Sequence, residues 1–237
     1  MLNFKKIAVG LFSLLFCIVS SYAQKQLWTI GTNNNSSAEF ALAPDGYKTY
    51  LLNDFGYEDR YFLVGFSDIK KDFPYVLPGT ADMWGGTGGM AGTRINDINI
   101  LFGIDNEPVN GQYKIVINLV DAAGHRPPML KAFFNKTEIF SKQVKGKGNE
   151  KSLDTLPVKG QNIKVEIPVN ASLIKKGGNE ITLSIWDGAW IMFDNIEFIA
   201  PESTQLISPE NLFLRSINVA NYEIEEAGKR YQPLLID

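Results

Sequence analysis

Cysteine and histidine are almost absent from this chain of 237 residues, with Cys17 and His125 as the single examples of each. Cys17 lies in an apolar N-terminal segment that is expected to be removed. The mature chain is therefore predicted to have no disulfide, no thiolate metal site and no cysteine nucleophile. A single histidine, with no Gly-x-Ser-x-Gly sequence, gives no support to a catalytic triad or a structural zinc site.

The chain also lacks an excess of basic residues. Its 23 Lys and Arg residues are outnumbered by 26 Asp and Glu residues, which gives a net charge of -3. A nucleic-acid partner is therefore not expected. With 45% hydrophobic and 21% charged residues, the composition is that of a folded globular protein rather than a disordered one.

The N-terminus has the three parts of a secretory signal peptide. Lys5 and Lys6 supply positive charge, residues 7–19 are apolar, and Ser21-Tyr22-Ala23 resembles a cleavage site. The apolar run is short for a membrane span. We therefore predict a cleaved signal peptide over residues 1–23, with no membrane contact after cleavage. A large, cysteine-free, exported chain favours a bacterial protein that is secreted, periplasmic or held at the cell surface.

The clearest structural pattern lies between residues 177 and 199. Ile181, Leu183 and Ile185 alternate with polar residues or Trp186, which is the period of a half-buried strand. Asp187-Gly188 follows, and this dipeptide between two hydrophobic runs predicts a hairpin turn. We therefore expect two antiparallel strands here that pair and close a β-sandwich.

Further strand patterns recur along the chain, and no amphipathic helix separates them. They lie at residues 27–31, 61–66, 97–104, 111–120, 129–140 and 163–169, with a turn expected at Asn135-Lys136-Thr137. This arrangement predicts an all-β sandwich or jelly roll over residues 24–200. Residues 201–237 are interpreted as a linker and the start of a further β-domain, because so few residues cannot bury a core alone. We therefore expect the chain to be a piece of a longer protein, and the alternative is that this tail packs back on the first domain.

A glycine-rich segment, residues 80–93, surrounds Trp84. It has no Gly-Lys-Ser/Thr sequence, so it is not a phosphate loop. Long loops at one end of a sandwich often carry binding residues. Because its glycine neighbours cannot bury it locally, Trp84 is the strongest candidate for an aromatic surface that stacks on a ligand.

Other residues could complete a binding site. Trp190 and, with less weight, Trp186 flank the predicted turn, although either could fill a core instead. Tyr57 and Arg60 form an aromatic and basic cluster with Tyr61. Arg126 could bind a ligand carboxylate through two hydrogen bonds, and His125 precedes it in a loop. The candidate ligand-binding residues are Trp84, Tyr57, Arg60, His125, Arg126 and Trp190.

Several short motifs, in order, resemble the C-terminal domain of rhamnogalacturonan lyases of polysaccharide lyase family 4. Residues 27–32 followed by Glu39-Phe40 resemble its opening segment, and residues 61–65 with Ser67 resemble its second signature. Residues 98–102 and 111–119 resemble a strand pair. The closing segment is similar to residues 168–183 together with Met192-Phe193-Asp194. The resemblance covers about residues 27–200.

The resemblance implies a galactose-binding-like jelly roll that binds a polysaccharide or oligosaccharide. The catalytic part of such lyases is a separate domain, and this chain offers nothing that could house it. The domain follows the signal peptide directly, which favours an N-terminal accessory module linked to a downstream domain. No cofactor is expected, although the fold allows a structural calcium near Asp194 and Glu39, which match motif positions.

Two alternatives remain open on the residues alone. The chain could be a rhamnogalacturonan lyase or glycoside hydrolase fragment that uses paired loop carboxylates. The carboxylates available in loops are Asp54, Glu58, Asp59, Asp68, Asp82 and Asp187. It could instead be a purely structural spacer that binds nothing.

Overall fold

We describe a computed structural model of the chain over residues 23–53, 55, 60–86, 95–154, 160–207 and 217–236. Strands dominate these residues, as the alternating sequence pattern predicts. The strands are β1 (Gln24–Gly31), β2 (Arg60–Leu63), β3 (Val76–Leu77), β4 (Asp97–Ile104), β5 (Tyr113–Ala122), β6 (Met129–Phe134), β7 (Thr137–Gln143), β8 (Ile163–Val169), β9 (Gly177–Ile185), β10 (Ile191–Pro201), β11 (Ile217–Val219), β12 (Ile224–Glu226), β13 (Lys229–Tyr231) and β14 (Leu234–Ile236).

Two five-stranded sheets form the sandwich. The first sheet has the order β1-β10-β5-β8, with the short β3 also paired to β10. The second has the order β2-β4-β9-β6-β7. The pair β2–β4 is parallel, and the other pairs in the two sheets are antiparallel. The prediction of an all-β jelly-roll sandwich is confirmed.

Helical segments are short and lie between strands. In the described ranges they are the α-helix α1 (Ile69–Asp72) and 3-10 turns at Gly46–Thr49, Leu51–Asn53, Met83–Gly85, Glu150–Asp154 and Ala171–Leu173. Among the described residues, no helix is long and apolar enough to cross a membrane.

The core lies between the two sheets and is rich in aromatic rings. Phe198 of β10 is fully buried. Its ring centroid lies 5.7 Å from that of Trp28 in β1, 5.1 Å from Phe102 in β4 and 6.0 Å from Phe134 in β6. Burying such a side chain stabilises the fold by about 1.5–3 kcal/mol, so these contacts hold the sheets together.

Strand boundaries follow the sequence patterns closely, with one correction at β2. The pattern predicts a strand through Phe66, but β2 ends at Leu63. The Leu63 N–H is bonded to the Ser67 hydroxyl at 2.9 Å, and Gly65 takes a φ of 84°. A positive φ of this kind breaks extended pairing, so the chain turns and leaves Phe66 exposed.

The hairpin predicted at Asp187-Gly188 is wrong in its pairing. The turn exists, and Gly188 has a φ of 80°. However, β9 pairs with β4 and β6, whereas β10 pairs with β1, β3 and β5 in the opposite sheet. The turn therefore carries the chain from one sheet to the other. A dipeptide turn specifies local reversal, but the pairing of two long, buried strands depends on their neighbours in each sheet.

The last described segment, residues 217–236, forms two small antiparallel pairs, β11–β14 and β12–β13. Large apolar side chains here are exposed, among them Val219, Leu234 and Ile236. Two-stranded pairs of this size have little stability by themselves. The interpretation of residues 201–237 as the start of a further β-domain stays a prediction, and the proposed signal peptide lies almost entirely outside the described residues.

Candidate functional site

One end of the sandwich carries a cleft of about 790 Å³, which we call the main cleft. Its walls come from four loops that follow or precede strands. The lining residues are Ala81, Asp82, Ala123, His125, Arg126, Gly148, Asn149, Glu150, Lys151, Ala189 and Trp190. Loops of this kind meet at the same end because the strands that they connect are packed face to face.

Backbone hydrogen bonds fix these loops to one another. The Ala123 N–H donates to Trp190 O at 3.0 Å, and the Gly124 N–H donates to Gly148 O at 2.8 Å. The Ala189 N–H donates to Arg126 O at 2.9 Å. Two of these bonds join the loop after β5 to the turn before β10, and the third joins the loop after β5 to the loop after β7. The cleft is therefore formed before any ligand arrives, which lowers the entropic cost of binding.

Trp190 forms the floor of the main cleft. Its side chain is only 2% exposed. A Cβ at position 148 would lie 2.3 Å from the Trp190 ring, so only glycine allows that loop to lie against the indole. Trp190 therefore supplies an apolar base and a fixed shape rather than an open face for stacking.

Charges of both signs line the main cleft. His125, Arg126 and Lys151 are exposed at the rim, and Glu150 is exposed beside them. Asp82 is the buried member, at 7% exposure, and its Oδ2 accepts the Gly79 N–H at 2.8 Å. The arrangement can bind a polar ligand through charged and hydrogen-bonding groups above an apolar floor.

Burial raises the pKa of the Asp82 carboxyl to about 7, and the charge of Glu150 adds to the rise. The Gly79 N–H and the positive charge of Arg126 act in the opposite direction. The outcome is a carboxyl that changes its charge near neutral pH, which is a feature found at functional sites.

Three of the six predicted site residues meet in the main cleft. His125 and Arg126 follow β5, and Trp190 precedes β10, so the fold brings together residues that are more than sixty positions apart in the chain. The structure thus groups the two polar candidates with the buried tryptophan.

The other three predicted residues do not line the main cleft. Trp84 is half-buried, because its ring packs edge to face on Tyr47 and Tyr50, with centroids 5.2 and 5.7 Å away. Its burial comes from residues distant in sequence, which its glycine neighbours could not reveal. Arg60 lies over the Phe55 ring at 4.4 Å and bonds the backbone at the end of α1. Tyr57 lies outside the described residues.

Trp186 has the most exposed indole among the described residues, at 46%. It stands on the outer side of the second sheet, apart from the main cleft. Lys131 Nζ lies 4.1 Å from its ring centroid, and its Nε1–H donates to the Ser184 hydroxyl at 3.1 Å. The ammonium group occupies one face of the ring, so Trp186 contributes a cation–π contact to the sheet surface.

The sequence patterns did not predict that residues 148–151, in the loop after β7, line the main cleft. That segment reads as a charged surface loop, and only the fold shows that it turns back onto β5. The contact is very close, because a Cβ at Gly146 would lie 1.9 Å from Ala122 O. Two glycines flanking a lysine, at positions 146 and 148, were the sole available signal of a close backbone approach.

A second polar site surrounds Asp194 in β10, which is fully buried. Its Oδ1 accepts the N–H groups of Asn34 and Ser36, both at 3.1 Å, whereas its Oδ2 has no hydrogen-bond partner. Two more buried oxygens without partners, Asn35 Oδ1 and Ser37 Oγ, belong to the same loop. Buried polar atoms normally have partners, so these three oxygens are candidate ligands of a bound cation.

Calcium suits such a donor set, because it accepts amide and hydroxyl oxygens as well as carboxylates. Glu39 is the neighbouring carboxylate, and its Oε1 accepts the Thr32 N–H at 2.7 Å. Burial raises the pKa of the Asp194 carboxyl, and the charge of Glu39 raises it further. Within the described residues, no three His, Cys, Asp or Glu side chains form a metal cluster, so the oxygens of Asn35 and Ser37 would be needed.

A family model described as "CBM-like: Polysaccharide lyase family 4, domain III" matches residues 26–198. A family 35 carbohydrate binding module from an environmental isolate is 18% identical over 45% of this chain and 69% of that chain, with a TM-score of 0.31. A β-porphyranase of glycoside hydrolase family 86 from Bacteroides plebeius is 16% identical over 56% of this chain and 19% of that chain, with a TM-score of 0.30. No functionally curated protein matches. The family match runs from β1 to β10.

Proposed function

Since the chain belongs to the CBM-like family formed by domain III of polysaccharide lyase family 4, we propose that it is an exported, non-catalytic module that binds a polysaccharide or oligosaccharide. The family match supports a carbohydrate-related accessory role. The finer proposal depends on the main cleft, where the loops place His125 and Arg126 at the rim above the buried Trp190.

The observation that carries this proposal is the position of Arg126. Its side chain is exposed, lines the main cleft and has no ion pair among the described residues. A planar guanidinium can bind a carboxylate through two parallel hydrogen bonds. Lys151 at the same cleft adds a second positive charge. These groups favour an acidic sugar, a uronate, as the unit bound in the main cleft.

Export and a downstream domain are parts of the same proposal. The charged and apolar N-terminal residues support a signal peptide, and with it a module that is secreted, periplasmic or held at the cell surface. The exposed apolar side chains of residues 217–236 support a linked β-domain that covers them. The module would then hold a catalytic partner close to its polysaccharide.

Affinity gel electrophoresis against a polysaccharide panel tests the binding proposal. The panel should contain polygalacturonate, glucuronoxylan and neutral galactan. We expect retardation in the two acidic polymers and a loss of retardation for Arg126→Ala. A matched control is Arg60→Ala, which removes an arginine that lies away from the main cleft. No retardation in any gel would contradict the proposal and would favour a structural spacer.

The position and the raised pKa of Asp82 favour one enzymatic alternative, a lyase. Asp82 has a pKa of about 7 and shares the main cleft with Glu150, Arg126 and Lys151. Proton abstraction beside a uronate carboxylate needs a base near neutral pKa and a positive group to hold the carboxylate. Ultraviolet absorbance of unsaturated products would detect such a lyase. If the wild-type protein forms unsaturated product and Asp82→Asn does not, the function is catalysis rather than binding.

We also propose that Asp194 and the loop 32–39 bind calcium as a structural ion. Asp194, Asn35 and Ser37 would hold it, and the ion would neutralise the buried carboxylate. At a free calcium concentration 100 times its Kd, the fold would gain about 2.7 kcal/mol.

The test of this calcium proposal is thermal unfolding in calcium and in a chelator. A gain of that size corresponds to a rise in Tm of roughly 5–10 °C for a chain of this length. Asp194→Asn should abolish the difference, whereas the exposed Asp105→Asn should keep it. Since Asp194→Asn could fail to fold, calorimetric titration of calcium into the wild-type protein provides an independent measurement. Equal Tm values and no heat of binding would overturn the proposal.

A further inference from the structure

Backbone contacts fix the Asp82 carboxyl in the wall of the main cleft. The Asp82 N–H donates to Gly79 O at 3.0 Å, and Asp82 Oδ2 accepts the Gly79 N–H at 2.8 Å. The Ala81 N–H donates to Gly188 O at 2.8 Å. A Cβ at position 79 would lie 2.6 Å from Ala189 O, so the turn that carries Asp82 is packed tightly against the turn before β10. The carboxyl is therefore held in the wall, buried but beside the space that a ligand would fill.

The charged groups around Asp82 come from three other loops. Residues 79–86 contain no second charged side chain. The loop after β5 contributes His125 and Arg126, the loop after β7 contributes Glu150 and Lys151, and the turn after β9 contributes Asp187. The positive charge of Arg126 favours the ionised form of the Asp82 carboxyl, whereas the negative charge of Glu150 disfavours it. The charge of Asp82 therefore depends on whether Arg126 is occupied by another anion.

An anion bound at Arg126 would act on the Asp82 carboxyl in one direction only. It would neutralise the guanidinium that favours the ionised carboxyl, and it would bring a second negative charge close to Asp82. It would also displace water from the main cleft, which adds to the burial that already raises the pKa of Asp82 to about 7. All three changes favour the protonated form of Asp82.

We propose that the main cleft takes up a proton at Asp82 when it binds an anionic ligand, so that pH controls its affinity for anions. This regulation rests on the proposed binding of an acidic sugar at Arg126. The proton comes from the solvent, and no covalent bond of the ligand changes. By linkage, the affinity is highest where Asp82 is already protonated, and it falls as the pH rises above the Asp82 pKa of the free protein.

Titration calorimetry with a galacturonate trisaccharide between pH 6 and pH 9 tests the proposal. Two like charges within about 10 Å of each other in a partly buried site change each other's proton affinity by about tenfold. The affinity for the trisaccharide should therefore fall by about tenfold across this range. The carboxyl groups of the ligand are ionised throughout, so they add no pH dependence. Equal affinities at pH 6 and pH 9 would overturn the proposal.

The proton can also be counted in the wild-type protein. Titrations at pH 7 in HEPES and in Tris, whose enthalpies of ionisation differ, give the number of protons taken up from the difference in the measured heats. A tenfold rise in the proton affinity of Asp82 from a pKa of about 7 corresponds to an uptake of about 0.4 proton per bound ligand. No uptake, or a release of protons, would contradict the proposal.

Variants assign the proton to Asp82. Asp82→Asn should remove the uptake, and at pH 9 it should bind the trisaccharide about tenfold more tightly than the wild type. Glu150→Gln removes a charge that raises the pKa of Asp82, so the fall in affinity should begin at a lower pH. The exposed Asp105→Asn, away from the main cleft, is the matched control and should show the pH dependence of the wild type.

His125 is the one other group that needs a separate test, because histidine ordinarily changes its charge near neutral pH. His125→Gln should keep both the proton uptake and the fall in affinity above pH 7. Uptake that persists in Asp82→Asn and disappears in His125→Gln would assign the proton to His125 and overturn the proposal.

The outcomes separate this proposal from the proposed function. Binding of the trisaccharide that depends on Arg126 but has the same affinity at every pH would contradict the proton uptake alone. Absence of binding at every pH, together with no retardation in the polysaccharide gels, would contradict both.

Discussion

Asp82→Asn gives the sharpest test of the electrostatics of the main cleft. Burial raises the pKa of Asp82 in the folded protein to about 7, compared with its ordinary value of 3.8. The folded state therefore binds this proton more tightly than the unfolded state. The contribution of the Asp82 carboxyl to the unfolding free energy is fully present below the pKa of the unfolded state. It decreases as the pH rises from about 4 to about 7, and it does not change further at higher pH.

The magnitude follows from the two pKa values. A tenfold difference in proton affinity corresponds to about 1.4 kcal/mol, so a rise from 3.8 to about 7 corresponds to about 4 kcal/mol at most. Water that enters the open cleft reduces this figure. Asparagine at position 82 can still accept the Gly79 N–H, but it does not titrate. The difference in unfolding free energy between Asp82→Asn and wild type should therefore grow by about 2–4 kcal/mol between pH 4 and pH 8.

Urea unfolding at a series of pH values is the assay. Comparing the pH dependence, rather than one absolute value, cancels the constant cost of burying an amide NH₂ group. Asp105→Asn, which removes an exposed carboxylate elsewhere, is the matched control. Its curve of unfolding free energy against pH should be parallel to that of the wild type. The reasoning is refuted if the curves for wild type and Asp82→Asn are parallel from pH 4 to pH 8.

Three further substitutions test the packing around the main cleft. Trp190→Ala removes the buried floor and should lower the unfolding free energy by about 3–5 kcal/mol and abolish binding to acidic polysaccharide gels. Gly148→Val places a side chain 2.3 Å from the Trp190 ring, so Tm should fall by several degrees and the cleft should close; an unchanged Tm would contradict the contact. Trp84→Ala should cost about 2 kcal/mol through lost contacts with Tyr47 and Tyr50, with gel retardation unchanged; lost retardation at unchanged stability would restore Trp84 as a binding residue.

Much of the fold is predictable from the sequence because hydrophobic alternation has a direct physical cause. Residues 163–169 alternate because one face of β8, which has these same bounds, meets the core. Residues 97–104 match the bounds of β4, although both faces of this strand are largely buried. The partner of each strand is not encoded so locally. The Asp187-Gly188 turn gives a chain reversal, but contacts with β4 and β5 decide that β9 and β10 belong to different sheets.

The site was predictable only in part, for a related reason. Arg126 and His125 could be chosen because exposed charge in a loop is visible in the sequence. The main cleft also needs residues 148–151, which reach it through the close approach of Gly146 and Gly148 to β5. Trp84 shows the opposite error. Its glycine neighbours predict exposure, whereas Tyr47 and Tyr50 cover it from a distant part of the chain.

The most direct measurement is a crystal structure of the protein with a galacturonate oligosaccharide. The account predicts a sugar in the main cleft, with a uronate carboxylate within about 3 Å of the Arg126 guanidinium. Trp190 should lie beneath the sugar as the floor of the cleft. A sugar bound elsewhere, for example on the sheet surface around Trp186, with the main cleft empty, would contradict the central claim.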